Sequence, residues 1–176
     1  MLIDAHNHPN WHGFNAGKIL RNMDEQGINQ MWLFSWEVPE DEYTVPIGKA
    51  RVVREGSELT MISWGASVVQ CMNAIESSGR DIELIDLRTI QPFDMETVSN
   101  SVRNTGRAVI VHEAPMTCGL GSEIATRIME ECFLHLEAPV QRVTGFDCIM
   151  PYYKLELEYL PDAERIGKAI NETMAY

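Results

Sequence analysis

The stretch from Glu58 to Arg88, ELTMISWGASVVQCMNAIESSGRDIELIDLR, decides the fold. Its first part, ELTMISWG, places Leu59, Met61, Ile62 and Trp64 on both faces of an extended segment. That is the pattern of a strand covered on both sides. The next part switches period: Val68, Cys71, Met72 and Ile75 fall on one face of a helix. Ser67 is a candidate N-cap there, and Gly79 a C-terminal stop. DIELIDLR then returns to strand. Strand, helix and strand in so short a run make a βα unit that feeds a parallel sheet.

Outward from this unit the alternation continues. KARVVREG, ending at Gly56, reads as a preceding strand. The turn TIQPFD leads into a helix that Asp94 can cap, and RAVIVHEA is a buried strand. Beyond the loop PMTCGLG, Ser122 is a candidate cap for a long helix to about Leu136, with the stripe Ile124, Ile128, Cys132 and Phe133. APVQRVTG is the last strand. A final helix begins near Asp162, with Ile166, Ile170 and Met174 on its inner face. Residues 47–176 thus form one doubly wound α/β domain with a largely parallel sheet covered on both faces.

The first 37 residues differ. MLID is a short strand, NAGKILRNMDEQG a helix ending at Gly27, and NQMWLFSW a second strand. This single βαβ appendage cannot cover Trp32, Phe34 and Trp36 by itself. Residues 38–46, acidic and ending in proline, read as a linker.

Composition narrows the function classes. Lys and Arg number 14 against 26 Asp and Glu, a net charge of −12. That disfavours nucleic acid, whose phosphates call for clustered cations. No apolar run approaches the roughly 20 residues that span a bilayer. No basic segment followed by an apolar run marks a secretory leader. Cys71, Cys118, Cys132 and Cys148 are far apart, with no C-x-x-C pair, and read as reduced thiols. A cytoplasmic location is expected.

Three groups carry potential chemistry. In Asp4-Ala5-His6-Asn7-His8, a strand would turn His6 and His8 to the same side, as half of a zinc shell, with Asp4 and His12 near enough to assist. His112 and Glu113 follow the apolar run AVIV, at a strand's carboxyl end, where open α/β sheets bind ligands and an ionisable pair can do acid–base work. In CGLGSE, Gly119, Gly121 and Ser122 precede a helix N-terminus, as in a weak phosphate cradle; position 124 is Ile where a full G-x-G-x-x-G needs Gly.

Two resemblances follow. IDAHNHPNWHGFNAGKILRNMDEQGINQMWLFSWE resembles the opening of amidohydrolase-superfamily metal-dependent hydrolases, whose first barrel strand carries H-x-H. That family needs a (β/α)₈ barrel of about 250 residues. Its remaining ligands have no counterpart here, so His6 and His8 are expected to hold zinc weakly, unless another chain completes the site. From about Val38 onward, the chain resembles the C-terminal domain of the β subunit of thiamine-diphosphate-dependent 2-oxoacid dehydrogenases, the E1 component, branched-chain 2-oxoisovalerate enzymes above all. The matching segments are YTVPIGKARVVREG, LTMISWG, ELIDLRTIQPFD, SVRNTGRAVIVHEAP, GLGSEIA, EECFLHLEAPVQRVTGFD and Pro151.

This second resemblance implies a five-stranded, mostly parallel, transketolase C-terminal-like sheet. It implies an oxidoreductase family using thiamine diphosphate and Mg²⁺, whose cofactor-handling groups belong to segments outside the match. The expected role is assembly: contacts with an E1 α subunit and an E2 acyltransferase core, without turnover or cofactor binding by the chain alone. A family face built for subunit contact, together with the uncovered aromatics, leads to the expectation of a homo-oligomer. A free-standing anion-binding module at Gly119–Ser122 is the alternative.

Overall fold

A computed structural model describes residues 46–152 and 154–176 in full, together with the backbone of two short strands near the N-terminus. The chain divides into two compact units, Met1–Val45 and Pro46–Tyr176. In the first, β1 (Ile3–Asn7) and β2 (Gln30–Leu33) pair in parallel, Ile3 opposite Gln30 and Asp4 opposite Met31. The segment read as a helix up to Gly27, together with Phe34, Trp36, His8 and His12, lies outside the described residues.

The second unit is built on β3 (Arg51–Arg54), β4 (Leu59–Ser63), β5 (Ile82–Asp86), β6 (Ala108–Pro115) and β7 (Gln141–Gly145). Their order is β3-β5-β4-β6-β7, with every pairing parallel except the antiparallel edge strand β3. The helices are α1 (Ser67–Ser78), α2 (Met95–Thr105), α3 (Leu120–Cys132), the short α4 (Glu156–Tyr159) and α5 (Ala163–Met174).

Both faces of the sheet are covered, which explains why all five residues of β4 are buried. Leu59, Met61, Leu84, Val109 and Val111 face Cys71, Ala74 and Ile75 of α1 and Ile166 and Ile170 of α5. On the other face Ile62, Ile85 and Ile110 meet Val98 and Val102 of α2 and Ile124 and Ile128 of α3. One polar cluster interrupts this core: the hydroxyls of Thr60, Ser101 and Thr105 bond one another at 2.6 and 2.8 Å, so no buried hydroxyl of the three is left unmet.

Capping follows the sequence at two helices and departs from it at two. Asp94 caps α2, accepting from the Thr97 N–H at 3.2 Å and the Thr97 hydroxyl at 2.9 Å. It also accepts the Ala50 N–H at 3.1 Å, tying the residues just before β3 to this helix. Asp162 likewise caps α5, accepting the Arg165 N–H at 2.8 Å. Ser67, however, is the first helical residue of α1, with Ala66 in the cap position and no side-chain cap bond. Gly119, rather than Ser122, stands at the cap of α3, and the Ser122 hydroxyl is engaged by an arginine instead.

The helix expected to reach Leu136 ends at Cys132 and passes into a 3₁₀ turn, Phe133–His135. Tightening the last turn swings Phe133 off the stripe and leaves it 62% exposed. The helix α4 lacks a periodic signal of its own, being a single turn of four residues.

Burial alone would raise the Asp94 pKa. The bonds from Ala50 and Thr97, helped by Lys49, outweigh it and hold the carboxyl below its ordinary range. Replacing it (Asp94→Ala) removes a helix cap and the tie to Ala50 together. The expected loss is about 1–2 kcal/mol, read as a lower urea midpoint at unchanged slope.

Candidate functional site at the sheet's switch point

From β4 the chain moves to β5 on one side, and from β6 to β7 on the other. The reversal falls between β4 and β6, and the carboxyl ends of these two strands are where open α/β sheets form ligand crevices. Trp64 directly follows β4, and His112 is the fifth of the eight residues of β6, which runs on past it to Pro115. Their rings stack across the switch point with centroids 5.3 Å apart and planes 13° from parallel.

His112 is 1% exposed. Neither Nδ1 nor Nε2 has a hydrogen-bond partner among the described residues. Its other neighbours are the glycines of the α3 turn. A Cβ on Gly121 would run into His112 Nε2, and one on Gly119 would lie 2.7 Å from His112 Cε1 and collide with the Pro115 carbonyl. The missing side chains of the GLG sequence therefore make room for an imidazole of this same chain.

Two polar ties hold the surrounding loop. Arg142 of β7 donates from Nη1 to the Met116 carbonyl at 3.0 Å and to Ser122 Oγ at 2.6 Å. Thr117 donates its N–H and its hydroxyl to the two carboxylate oxygens of Asp147, at 2.8 and 2.7 Å. Those two bonds, its own hydroxyl partner first, lower the pKa of this exposed carboxylate. Burial, then the nearby Arg142 charge, lower the pKa of His112.

The residues singled out in the sequence are thus distributed as follows. His112, Gly119 and Gly121 come together, and Ser122 joins them through Arg142. Glu113 does not: successive strand residues face opposite ways, and it is exposed while His112 is buried. These two neighbours do not face each other, and the imidazole is enclosed while the carboxylate is exposed. His6 falls in β1, and among the described residues no group of three or more His, Cys, Asp or Glu is placed to hold a metal ion. Cys71 and Cys132 are buried free thiols, and Cys118 and Cys148 exposed ones. Burial pushes the Cys71 thiol up to about 12, leaving it unreactive at neutral pH.

Sequence reading missed Trp64 as a ring partner, Arg142 as the tie between β7 and the α3 turn, and the Thr117–Asp147 clamp. Arg142 and Asp147 are single charged residues in an exposed-looking context, and only the fold brings them beside residues 20 to 30 positions earlier.

Residues 48–166 match the family described as transketolase, C-terminal domain. The chain belongs to that family. It is 51% identical over 144 residues to the mitochondrial 2-oxoisovalerate dehydrogenase subunit beta of Dictyostelium discoideum, covering 80% of this chain and 39% of the relative. Identity is 45% over 138 residues to the 2-oxoisovalerate dehydrogenase subunit beta of Pseudomonas aeruginosa, covering 78% and 39%. It is 42% over 146 residues to the pyruvate dehydrogenase E1 component subunit beta of Staphylococcus aureus, covering 81% and 45%. The chain spans less than half the length of these relatives.

A solved structure titled split gene transketolase, inactive beta4 tetramer, superposes with a TM-score of 0.66 at 24% identity, over 89% of this chain and 53% of that one. It supports the five-stranded, mostly parallel sheet. The amidohydrolase resemblance of residues 1–37, and with it zinc at His6 and His8, finds no support in these comparisons. Nor does a cytoplasmic location, since one of these relatives is mitochondrial by name. Among the described residues, no helix is long and apolar enough to cross a membrane.

The site yields two expectations. With its folded pKa below the ordinary 6.5, His112 lets the unfolded chain hold a proton that the folded chain lacks. Its contribution to stability is full above that value and falls as the pH drops from there toward the lowered folded pKa. Urea titrations at successive pH values should show this slope, and His112→Leu should flatten it. Separately, Gly121→Ala should cost about 1–3 kcal/mol by driving a methyl group into the imidazole. Combined with His112→Ala, the losses should be smaller than their sum, because the clash is then relieved.

Proposed function

We propose that residues 46–176 are the subunit-contact domain of a thiamine-diphosphate-dependent 2-oxoacid dehydrogenase E1 of the branched-chain or pyruvate type. On this reading they dock on an E1 α subunit and an E2 acyltransferase core, and turn over no substrate alone. The observation that carries the reading is a run of exposed apolar side chains just past β7. Ile149 is 90% exposed, Tyr152 91% and Leu157 75%, and Phe146, Met150 and Leu155 are also more than half exposed or nearly so. So dense a patch is uncommon on stable monomers.

The run is held in place, as a docking surface should be. Arg165 donates to the carbonyls of Thr144 at 2.5 Å and of Tyr159 and Leu160 at 3.3 Å, and lies over the Phe146 ring at 4.4 Å. The Phe146 ring meets Tyr159 edge-on, so both ends of the run are fixed to the base of α5. Among the described residues no group of three or more His, Cys, Asp or Glu is placed to hold a metal ion, and the reading assigns no cofactor step to this chain.

In the absence of other subunits, the same patch is proposed to pair two copies across a two-fold axis. Light scattering should then give roughly twice the 20.0 kDa chain mass, and a separately expressed E1 α subunit should co-elute with the chain. Tyr152→Glu and Leu155→Glu should abolish both without unfolding the domain. A 20.0 kDa species that ignores E1 α, or assemblies indifferent to these substitutions, would refute the proposal.

A further inference from the structure

His112 is enclosed with both ring nitrogens bare. It is 1% exposed, and neither Nδ1 nor Nε2 is hydrogen-bonded among the described residues. Buried polar groups are ordinarily bonded, so even the neutral ring sits there unfavourably. A proton would add a full charge with no acceptor to meet it.

The surroundings repel that charge. Burial first, and then the charge of Arg142, opposite Ile110 in the β6–β7 ladder, hold the pKa of the ring down. The glycines that touch the ring begin α3, a helix of 13 residues with no side-chain cap, whose amino end is partially positive. The acids on the surrounding elements are turned away or engaged. Glu113, on β6 itself, is exposed on the other face of the strand. Glu123, in the first turn of α3, pairs with Arg127 at 3.2 Å, and Glu130 and Glu131 stand at the far end of that helix. Asp147, beyond β7, accepts both bonds from Thr117. Trp64 brings only its indole from the end of β4.

The backbone here is loosely joined to the sheet. The β4–β6 ladder ends at the pair Ile62 and Ile110. The β6–β7 register breaks after Val111 and resumes at Pro115, opposite Gly145. Next comes the turn into α3, tied by Thr117 to Asp147 and by Arg142 to Met116 and Ser122. His112 stands at the start of this segment, and its ring is packed against the glycines at the segment's end.

We propose that His112 is a proton-operated latch. Neutral, it seats the turn from Pro115 to Gly121 on the sheet. Protonated from solvent, it leaves its enclosure for water and releases that turn together with the Thr117–Asp147 tie. The latch is a property of this chain alone and does not depend on the docking reading. Because Asp147 holds the start of the exposed apolar run, docking there becomes acid-sensitive if that reading holds.

Amide hydrogen exchange on the full chain, from about pH 7.5 down to about pH 5, tests the latch. It is read as protection factors, which remove the intrinsic pH dependence of exchange. Below about 6.5, one proton per opening should lower the protection of the Thr117 and Ser122 amides about tenfold per pH unit. Sub-denaturing urea should leave that loss unchanged, the mark of a local opening, while it lowers the protection of the β4 and β5 amides. In His112→Leu the pH dependence at Thr117 and Ser122 should vanish. Should that variant not fold, the wild-type His112 ring resonance carries the test: it should pass to a solvent-exposed position as it titrates, with the same midpoint as the Thr117 amide. Protection at Thr117 and Ser122 that ignores pH, that falls only with the urea dependence of β4, or that keeps its pH slope in His112→Leu would overturn the proposal. So would a ring that takes up its proton in place.

Discussion

Helix α3 can settle against β6 only because Gly119 and Gly121 leave empty the volume that the His112 ring fills. The ring is clamped on its other side by Trp64, so the central strands and the α3 turn are joined through one imidazole. With α3 seated, Ser122 meets Arg142 and Thr117 meets Asp147, and the end of β7 is drawn to the loop after β6. The chain that leaves β7 therefore starts from a fixed point, and Arg165 fixes it again some fifteen residues on at Tyr159 and Leu160. Between these two anchors runs the exposed apolar stretch. A surface with so many uncovered large side chains keeps a definite shape because its ends are tied to the core by charged and hydrogen-bonded groups.

The same geometry divides the carboxyl end of the sheet into two. On the α3 side the imidazole of His112 and the indole of Trp64 stack at the switch point, against the glycines of the α3 turn. On the α1 and α5 side a groove remains, lined by Ala66, Ser67 and Gln70, by Glu113, and by Leu157, Glu158, Leu160, Pro161 and Asp162. Adjacent residues of β6 serve the two sides: His112 packs inward and Glu113 reaches the groove.

The fold was legible because its signals are local. The both-faced apolar character of Leu59–Ser63 and the switch to helical spacing after Ser67 mark a covered parallel strand and its crossover helix, and the structure has both. Asp94 and Asp162 were readable as caps because each stands immediately before an amphipathic run. Ser122 misled because it too precedes such a run. The close approach of α3 to β6, which no local pattern encodes, sets the helix start at Gly119 instead. The site was legible only in part. Glycines before a helix look alike whether they cradle a phosphate or a neighbouring side chain, and the occupant becomes visible only when strand β6 is laid beside them.

The central claim is that the ordered stretch after β7 is an assembly surface on an independently folded domain. Amide hydrogen exchange, compared for the chain alone and mixed with an E1 α subunit, tests it most directly. The account predicts strong protection of β4, β5 and β6 in both samples, and new protection in the mixture concentrated between Phe146 and Leu157. Unchanged exchange across that stretch, with protection appearing elsewhere or nowhere, would contradict it.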